Sequence, residues 1–356
     1  MHFNDGELSV DYRTYLSGKK IFLAVMTGLL AFTLVLALSL GAVKIPFGHV
    51  IQTLAGFSVS RQFDIIVWQI RLPQALTAIA AGAGLGVAGA VMQSVLKNPL
   101  GSPFTLGISH AAAFGAALSV MILGSGVMAS SASDAVTISS PFLTTFSAFV
   151  FAMAAAGTIT AVSRLRNASP EVMVLTGVAL GSLFTAGTML LQFFADDIQL
   201  AAMVFWTFGD VARASWKELS FISAVTLVGI LFFMANAWNY NGTDAGDETA
   251  KGVGIAVQRT RLAGMMVASL VTSVIISLVG IIGFVGLVAP HMVRRIIGDD
   301  HRFLLPGTVI TGGLLLLASD IAARLLLAPH TLPVSVLTSF LGAPVFIYLI
   351  IKGYQR

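Results

Sequence analysis

The 356-residue chain contains no cysteine, which removes disulfides, thioether-linked haem, thiolate metal sites and cysteine nucleophiles from its possible chemistry. Charge is scarce as well: Asp, Glu, Lys and Arg make up 10% of the residues, against 56% hydrophobic ones. With a mean hydropathy of +0.91, that balance excludes a soluble globular domain and places the chain in a bilayer. No GxxxxGK[ST] string occurs, so the chain should not bind and hydrolyse ATP through a P-loop. There is no HExxH and no carboxylate pair at metal spacing. The histidines at positions 2, 49, 110, 291, 301 and 330 are scattered and read as polar residues at span ends or interfaces, with no metal expected. The net charge of +4 does not point to nucleic acid, because Lys and Arg fall at the ends of apolar runs and form no basic face with interleaved aromatics.

What is present is a series of long apolar runs. A helix needs about 20 mostly apolar residues to cross the hydrocarbon core, and a charge inside it is costly, so charges mark the boundaries. Lys20 to Lys44 encloses a first span, and Arg71 to Lys97 a second that begins near Ile65. A third is expected at Phe104 to Leu123, after Asn98-Pro99 and Ser102-Pro103, with a Gly/Ser/Ala loop following. Ala135 to Ser163 holds the fourth and Val172 to Ala195 the fifth. Ile198 to Gly209 is too short to cross and reads as a surface helix, and Trp216 to Ala237 is the sixth. Leu262 to Val293 is too long for one helix. Glycines 280, 283 and 286 followed by Pro290 suggest a break into a seventh span and a short eighth. Pro306 to Leu327 and Pro333 to Ile351 complete ten spans, which put both termini on one side. The first 20 residues are polar, and no small-residue cleavage site follows the apolar run from Ile21, so the first span is expected to be retained.

Lys and Arg set the orientation, since cytoplasmic loops carry the excess. With the N-terminus inside, only Lys44, Arg61, Arg71, Arg213, Lys217 and Arg324 of the 20 fall outside, leaving 14 within. The stretch Asp244 to Arg261 (DAGDETAKGVGIAVQRTR), six formal charges between two apolar runs, is therefore cytoplasmic and offers a surface to a soluble partner. Thr243 or Asp244 is expected to cap a short helix in which Asp247 and Lys251 sit four apart, with Gly252 and Gly254 ending it. Arg259 and Arg261 are expected to anchor the start of the seventh span.

Glycine indicates how the spans pack, because lipid gives little drive for helix association and small residues let backbones approach. Gly82, Gly84, Gly86 and Gly89 line the second span, and Gly177 and Gly181 the fifth. Gly84, Gly86 and Gly89 match GxGxxG, yet no strand precedes them and no acidic ribose partner follows, so packing is the better reading. Asp320 and Arg324, four apart on one helix face, can neutralise each other, in a structural pair or a functional one. Arg71, before Leu72-Pro73, reads on its own as an interfacial anchor.

Several strings then follow one another in a familiar order. They are Arg71-Leu72-Pro73, Gly89-Ala90-Val91-Met92-Gln93, Asn98-Pro99-Leu100, Leu106-Gly107-Ile108-Ser109, Phe205-Trp206-Thr207-Phe208-Gly209 and Gly246-Asp247-Glu248-Thr249-Ala250-Lys251. Gly283-Phe284-Val285-Gly286 running to Pro290-His291, Asp299-Asp300-His301-Arg302, Asp320 to Arg324, Leu332-Pro333-Val334 and Gly342-Ala343-Pro344 continue the match. In these the chain, from about Asp64 to its end, resembles the FecCD family, the permeases of binding-protein-dependent ABC importers for iron chelates, haem and cobalamin.

The resemblance implies an all-α integral membrane subunit, a ten-helix bundle over 21–352 behind a cytoplasmic segment over 1–20, pairing as a homodimer or close heterodimer. It implies no cofactor in this chain, ATP and Mg belonging to two cytoplasmic ATPase subunits that dock on a loop at 241–258. The residues concerned are Asp244, Gly246, Asp247, Glu248, Thr249, Ala250, Lys251, Gly252 and Gly254. It places Arg71 and Arg324 where an extracytoplasmic binding protein docks. Gln74 departs from a frequent Arg or Lys, a contact that Arg61 could supply. A cytoplasmic gate would lie at Ala168, Ser169 and Pro170, with Met173, Met189 and Gln192 along the path. The expected activity is alternating access driven by the partner ATPase, with no bond chemistry in this chain and a ferric siderophore as first choice of cargo over haem or cobalamin. A secondary transporter working alone would need an intramembrane carboxylate for ion coupling, for which Asp320 is the sole candidate, and a membrane enzyme fails for want of a catalytic cluster.

Overall fold

Helices form wherever apolar residues run unbroken, and the turns fall at Pro, Gly and capping residues. A computed structural model describes residues 10–57, 60–122, 124, 126–128, 136–138, 141–328 and 330–353. The start of the polar segment, most of the Gly/Ser/Ala loop after the third span and Arg356 lie outside them. The first helix, α1 (Val10–Ser39), begins inside the polar segment, carrying Lys19 and Lys20 on helical backbone, with Lys19 Nζ donating to Tyr15 Oη at 2.6 Å. A short α2 (Phe47–Leu54), too brief an apolar run to be noticed in the sequence, follows Pro46.

The second span is a composite. Ser60 caps α3 (Arg61–Ile65), a π-helical turn covers Ile66–Arg71, and α4 (Leu72–Val95) follows. Pro73 sits in the first turn of α4, where a missing N–H costs little. Next come α5 (Ile108–Ile122), later in starting than its apolar run because Pro103 and a Ser102–Thr105 turn precede it, and a three-residue antiparallel pairing of Gly126–Met128 with Val136–Ile138. The chain continues through α6 (Pro141–Arg164), α7 (Pro170–Phe194) and α8 (Asp197–Thr207). The last is the short helix expected near Ile198, opened by an Asp196/Gln199 capping box. After a 3₁₀ turn at Val211–Arg213 come α9 (Trp216–Ala235) and the two short helices α10 (Ala237–Asp244) and α11 (Asp247–Gly252).

The long run after the charged loop breaks as anticipated. α12 (Val257–Val279) ends at Gly280 with φ +81°, and α13 (Val285–Ile297) starts from Phe284, held left-handed at φ +64°. Pro290 lies inside α13 and breaks nothing; the glycines alone make the interruption. α14 (His301–Leu325) and α15 (Val334–Gly353) complete the chain. Among the described residues, seven helical stretches are long and apolar enough to cross a membrane, namely α1, α3 through α4, α6, α7, α9, α12 and α14, while α5 and α15 offer shorter apolar segments. The chain is a multi-pass membrane protein.

The centre is α4, buried on nearly every side and packed against α14, α12, α13 and α9. Its small residues make that possible. A Cβ on Gly82 would fall 2.3 Å from the Gly312 carbonyl oxygen, and one on Gly89 only 1.9 Å from that of Gly286. The GxGxxG string is thus a packing face. Gly177 and Gly181 of α7 receive the backbone of Leu106 and Gly107. Elsewhere α7 is the least covered long helix, with Leu175, Leu183, Met189 and Phe193 well exposed.

Candidate functional site

The charged stretch folds as a helical hairpin at one end of the bundle, where α4, α6, α9 and α13 finish and α7, α12 and α14 begin. Gly246, at φ +116°, turns the chain from α10 into α11. Neither Thr243 nor Asp244 caps α11, contrary to expectation. The Thr243 hydroxyl donates back to Tyr240 O at 2.9 Å, and the Asp244 carboxylate is drawn inward to accept from Ser94 Oγ at 2.6 Å. Burial raises the Asp244 pKa against the opposing pull of that bond. At its far end α11 closes as foreseen: Gly254, at φ +84°, donates to Lys251 O and Ile255 donates to Ala250 O, a Schellman arrangement.

The expected Asp247–Lys251 pair does not form. Lys251 turns to Glu248 at 2.7 Å, both exposed, which lifts the Lys251 pKa. Asp247 faces the bundle and bridges Lys97 Nζ at 2.6 Å and Arg261 Nη2 at 3.0 Å. Burial pushes the Asp247 carboxyl up, but the Lys97 bond and the Arg261 charge outweigh it and hold the pKa below the ordinary carboxylate range. An i,i+4 pair on an exposed helix contributes little, whereas two cations at the bundle end, one of them buried, offer far stronger partners. Of the remaining loop residues, Thr249 is exposed and Ala250 is the buried foot of α11.

Arg261 anchors the start of α12, and it also ties four segments together. Its Nε donates to Val95 O at 2.8 Å, Nη1 to Ala168 O at 3.0 Å, and Nη2 to both Asp247 oxygens at 3.0 and 3.2 Å. Ala168 is itself buried in the α6–α7 turn, where Asn167 and Ala168 both hold positive φ, +56° and +55°. Ser169 precedes α7 and its hydroxyl donates to Glu171, while Pro170 takes the first helical position. Of the residues expected along the path, Met173 is wholly buried in the core, Met189 is exposed and Gln192 half-buried. A cavity of about 670 Å³ separates the hairpin from the α6–α7 turn, lined by Lys97, Arg166, Lys251, Arg259 and Arg261 against Asp247 and Glu171.

A second polar web holds α10. Asn241 Nδ2 donates to Asp300 Oδ1 at 3.0 Å and its Oδ1 accepts from His301 N at 2.8 Å. Asp300 caps α14 and takes a bidentate grip from Arg302, which overcomes burial and holds its pKa down at about 2. Arg294 donates to Gln93 Oε1 at 2.7 Å, and Gln93 Nε2 in turn reaches Gly286 O. Sequence reasoning missed Lys97, Ser94, Asn241 and the reach of Arg261. The single available signal was an unpaired arginine within a turn of an apolar run.

At the opposite end the arginines serve the fold. Arg71 is buried and donates to Leu38 O at 2.7 Å, Ser39 O at 3.1 Å and Val43 O, which clamps the end of α1. Arg324 pairs with Asp320 at 3.0 Å and reaches Ala37 O at 3.3 Å, while Gln74 donates to Asp320 Oδ1 at 2.8 Å. Arg71 is thus engaged with three carbonyls of the chain, and Arg324 with a carboxylate and a carbonyl. Among the three residues expected to dock a binding protein, only Arg61 is exposed.

Known proteins align along almost the whole chain. An ABC transporter permease protein of Methanocaldococcus jannaschii, so named, is 48% identical over 97% of this chain and 98% of its own. The hemin transport system permease HmuU of Yersinia pestis is 34% identical over 92% and 95%. A solved structure described as an inward-facing metal-chelate type ABC transporter superposes with a TM-score of 0.80 at 28% identity, covering 93% of this chain and 98% of that one. Residues 29–352 match the FecCD transport family, and with relatives of this identity and coverage the chain belongs to it.

Proposed function

We propose that the chain is the permease subunit of an ABC importer that moves a metal chelate into the cytoplasm, with a ferric siderophore as first choice and haem or cobalamin as alternatives. Ten helices cross the membrane in this reading: the seven long ones, α5, α13 and α15. Both termini and the α10–α11 hairpin face the cytoplasm, as the 14 of 20 Lys and Arg on that side favour. The permease works as a dimer, with two ATPase subunits on the hairpins and a binding protein on the far face near Arg61. The chain itself performs no bond chemistry. The observation that carries this reading is the hairpin: it presents Glu248, Lys251 and Val253 outward while Asp247 grips the bundle, which suits a handle held by a soluble subunit. ATP binding and hydrolysis on that partner move the handle and so switch the bundle between outward and inward access.

Co-expression with the ATPase and binding protein, followed by reconstitution in liposomes, tests the proposal. ATP-dependent uptake of hemin, ferric hydroxamate or cyanocobalamin that requires all three subunits is expected. Uptake by the permease alone down an ion gradient would overturn it. That second outcome belongs to a stand-alone secondary transporter, which Asp320 serves poorly, since Arg324 and Gln74 already occupy its carboxylate.

A further inference from the structure

Between the proposed ATPase handle and the proposed gate lies one residue that touches both. We infer that Arg261 is the positioning residue that transmits movement of α11 to the α6–α7 turn, an inference that rests on the hairpin's role as the coupling element. Three observations converge on it. Its side chain is almost fully buried, so its three bonding directions are spent within the protein, on Val95, Ala168 and Asp247. Among the described residues, no hydrogen bond or ion pair joins α11 directly to residues 165–169, so the polar path between them runs through this guanidinium. The turn it holds carries a backbone cost: Ala168 follows Asn167 into the left-handed region, which asparagine enters readily but alanine adopts only at some cost in energy.

The chemistry gives the relay its direction. Asp247 supplies the bond nearest the surface, shared with Lys97, whose own φ is +47°. If α11 shifts, the carboxylate must either drag the guanidinium or release it. Dragging pulls on Ala168 O; release removes a donor that helps hold the left-handed turn. In both cases the backbone of the turn gains a second arrangement at the cavity edge, as a coupling element requires. The cavity of about 670 Å³ leaves room for that displacement. Lysine could not do the same, because a single ammonium on a flexible stem cannot span a carboxylate and two carbonyls in fixed directions.

Hydrogen–deuterium exchange on the assembled permease–ATPase complex, with and without a non-hydrolysable ATP analogue and Mg, tests the relay. In the wild type, nucleotide should alter exchange in α11 and also in residues 164–172, the latter by about tenfold, within the range typical of coupled sites. Arg261→Gln should keep the response in α11 and abolish it in the turn. Asp247→Asn, at a part-exposed position that leaves the core intact, should do the same if Arg261→Gln fails to assemble. Adding Ala168→Gly to Arg261→Gln separates relay from mere support. Glycine adopts the left-handed turn freely, so basal protection should return while the nucleotide response stays absent. A turn that responds like the wild type in Arg261→Gln, or a response restored by Ala168→Gly, would overturn the relay. Absence of any response in wild-type α11 would instead overturn the coupling role on which it rests.

Discussion

Gly89→Ala adds a single methyl group where, among the described glycines, a Cβ would meet its nearest neighbour at the shortest distance. The new Cβ would lie 1.9 Å from the carbonyl oxygen of Gly286 and 2.5 Å from its carbonyl carbon, both backbone atoms that cannot rotate away. A carbon–oxygen contact needs ~3.3 Å, so α4 and α13 must separate by roughly 1.4 Å. Overpacking of this kind costs about 1–3 kcal/mol. The same shift loosens Gln93, one turn along α4, which donates to Gly286 O and Leu287 O while accepting from Arg294. Leaving such buried groups poorly paired adds about 1–3 kcal/mol, and alanine's better helix propensity returns only ~1. A net loss of about 1–5 kcal/mol is expected. Gly157→Ala is the matched control: a methyl group added there, on α6, would meet no atom within 4 Å, so the change should be neutral or slightly stabilising. Thermal unfolding in detergent compares the two. If Gly89→Ala were as stable as the wild type, or Gly157→Ala as damaged, the reading of glycine as a steric requirement would be wrong.

Four further outcomes follow from the two ends of the bundle. Arg71→Ala removes three charge-assisted bonds to carbonyls at the end of α1, each contributing about 1.5–3 kcal/mol, and should lower the unfolding temperature sharply; Arg61→Glu should leave it unchanged yet weaken binding-protein affinity, more at low salt, as measured by surface plasmon resonance. The paired exchange Glu248→Lys with Lys251→Glu inverts the outer face of α11 without touching Asp247, so ATPase co-purification should fall at unaltered thermal stability, and undiminished yield would remove the docking assignment. Asp300 is held at about 2, below its unfolded value of ~3.9, so its contribution is fully present above that value and lost as pH falls through about 2; Asp300→Asn should flatten the acid limb of the stability curve between those limits.

Features set by local sequence were legible. Gly280 with Gly283 broke the long run because such backbone freedom is followed by a left-handed residue, and α8 stayed a short helix near Ile198 because its apolar run is too short to cross. The close approach of Gly82 and Gly89 was readable as a tendency, though not their partners Gly312 and Gly286, more than 190 positions away. Tertiary competition decided the rest. Asp247 had an obvious neighbour in Lys251 and took Lys97 and Arg261, and Arg71, which reads on its own as an interfacial anchor, is buried where it clamps the end of α1. Pro290 looked like a helix breaker but sits within α13, where backbone groups freed by a proline can be compensated by packing against neighbours. The π turn at Ile66–Arg71 carried no sequence mark at all.

The distribution of these contacts constrains how the bundle moves. Its middle is held by backbone touching backbone at Gly82–Gly312 and Gly89–Gly286, contacts that have a single geometry and cannot slide without clash. Its ends are held by arginines on carbonyls, Arg71 and Arg324 at one and Arg261 at the other, and such bonds can exchange partners at little net cost because each carbonyl has a second lone pair. A switch driven from α11 should therefore leave α4, α13 and α14 as one body. The displacement should fall on α7, the long helix with least of its surface packed, whose leading turn is the segment Arg261 holds.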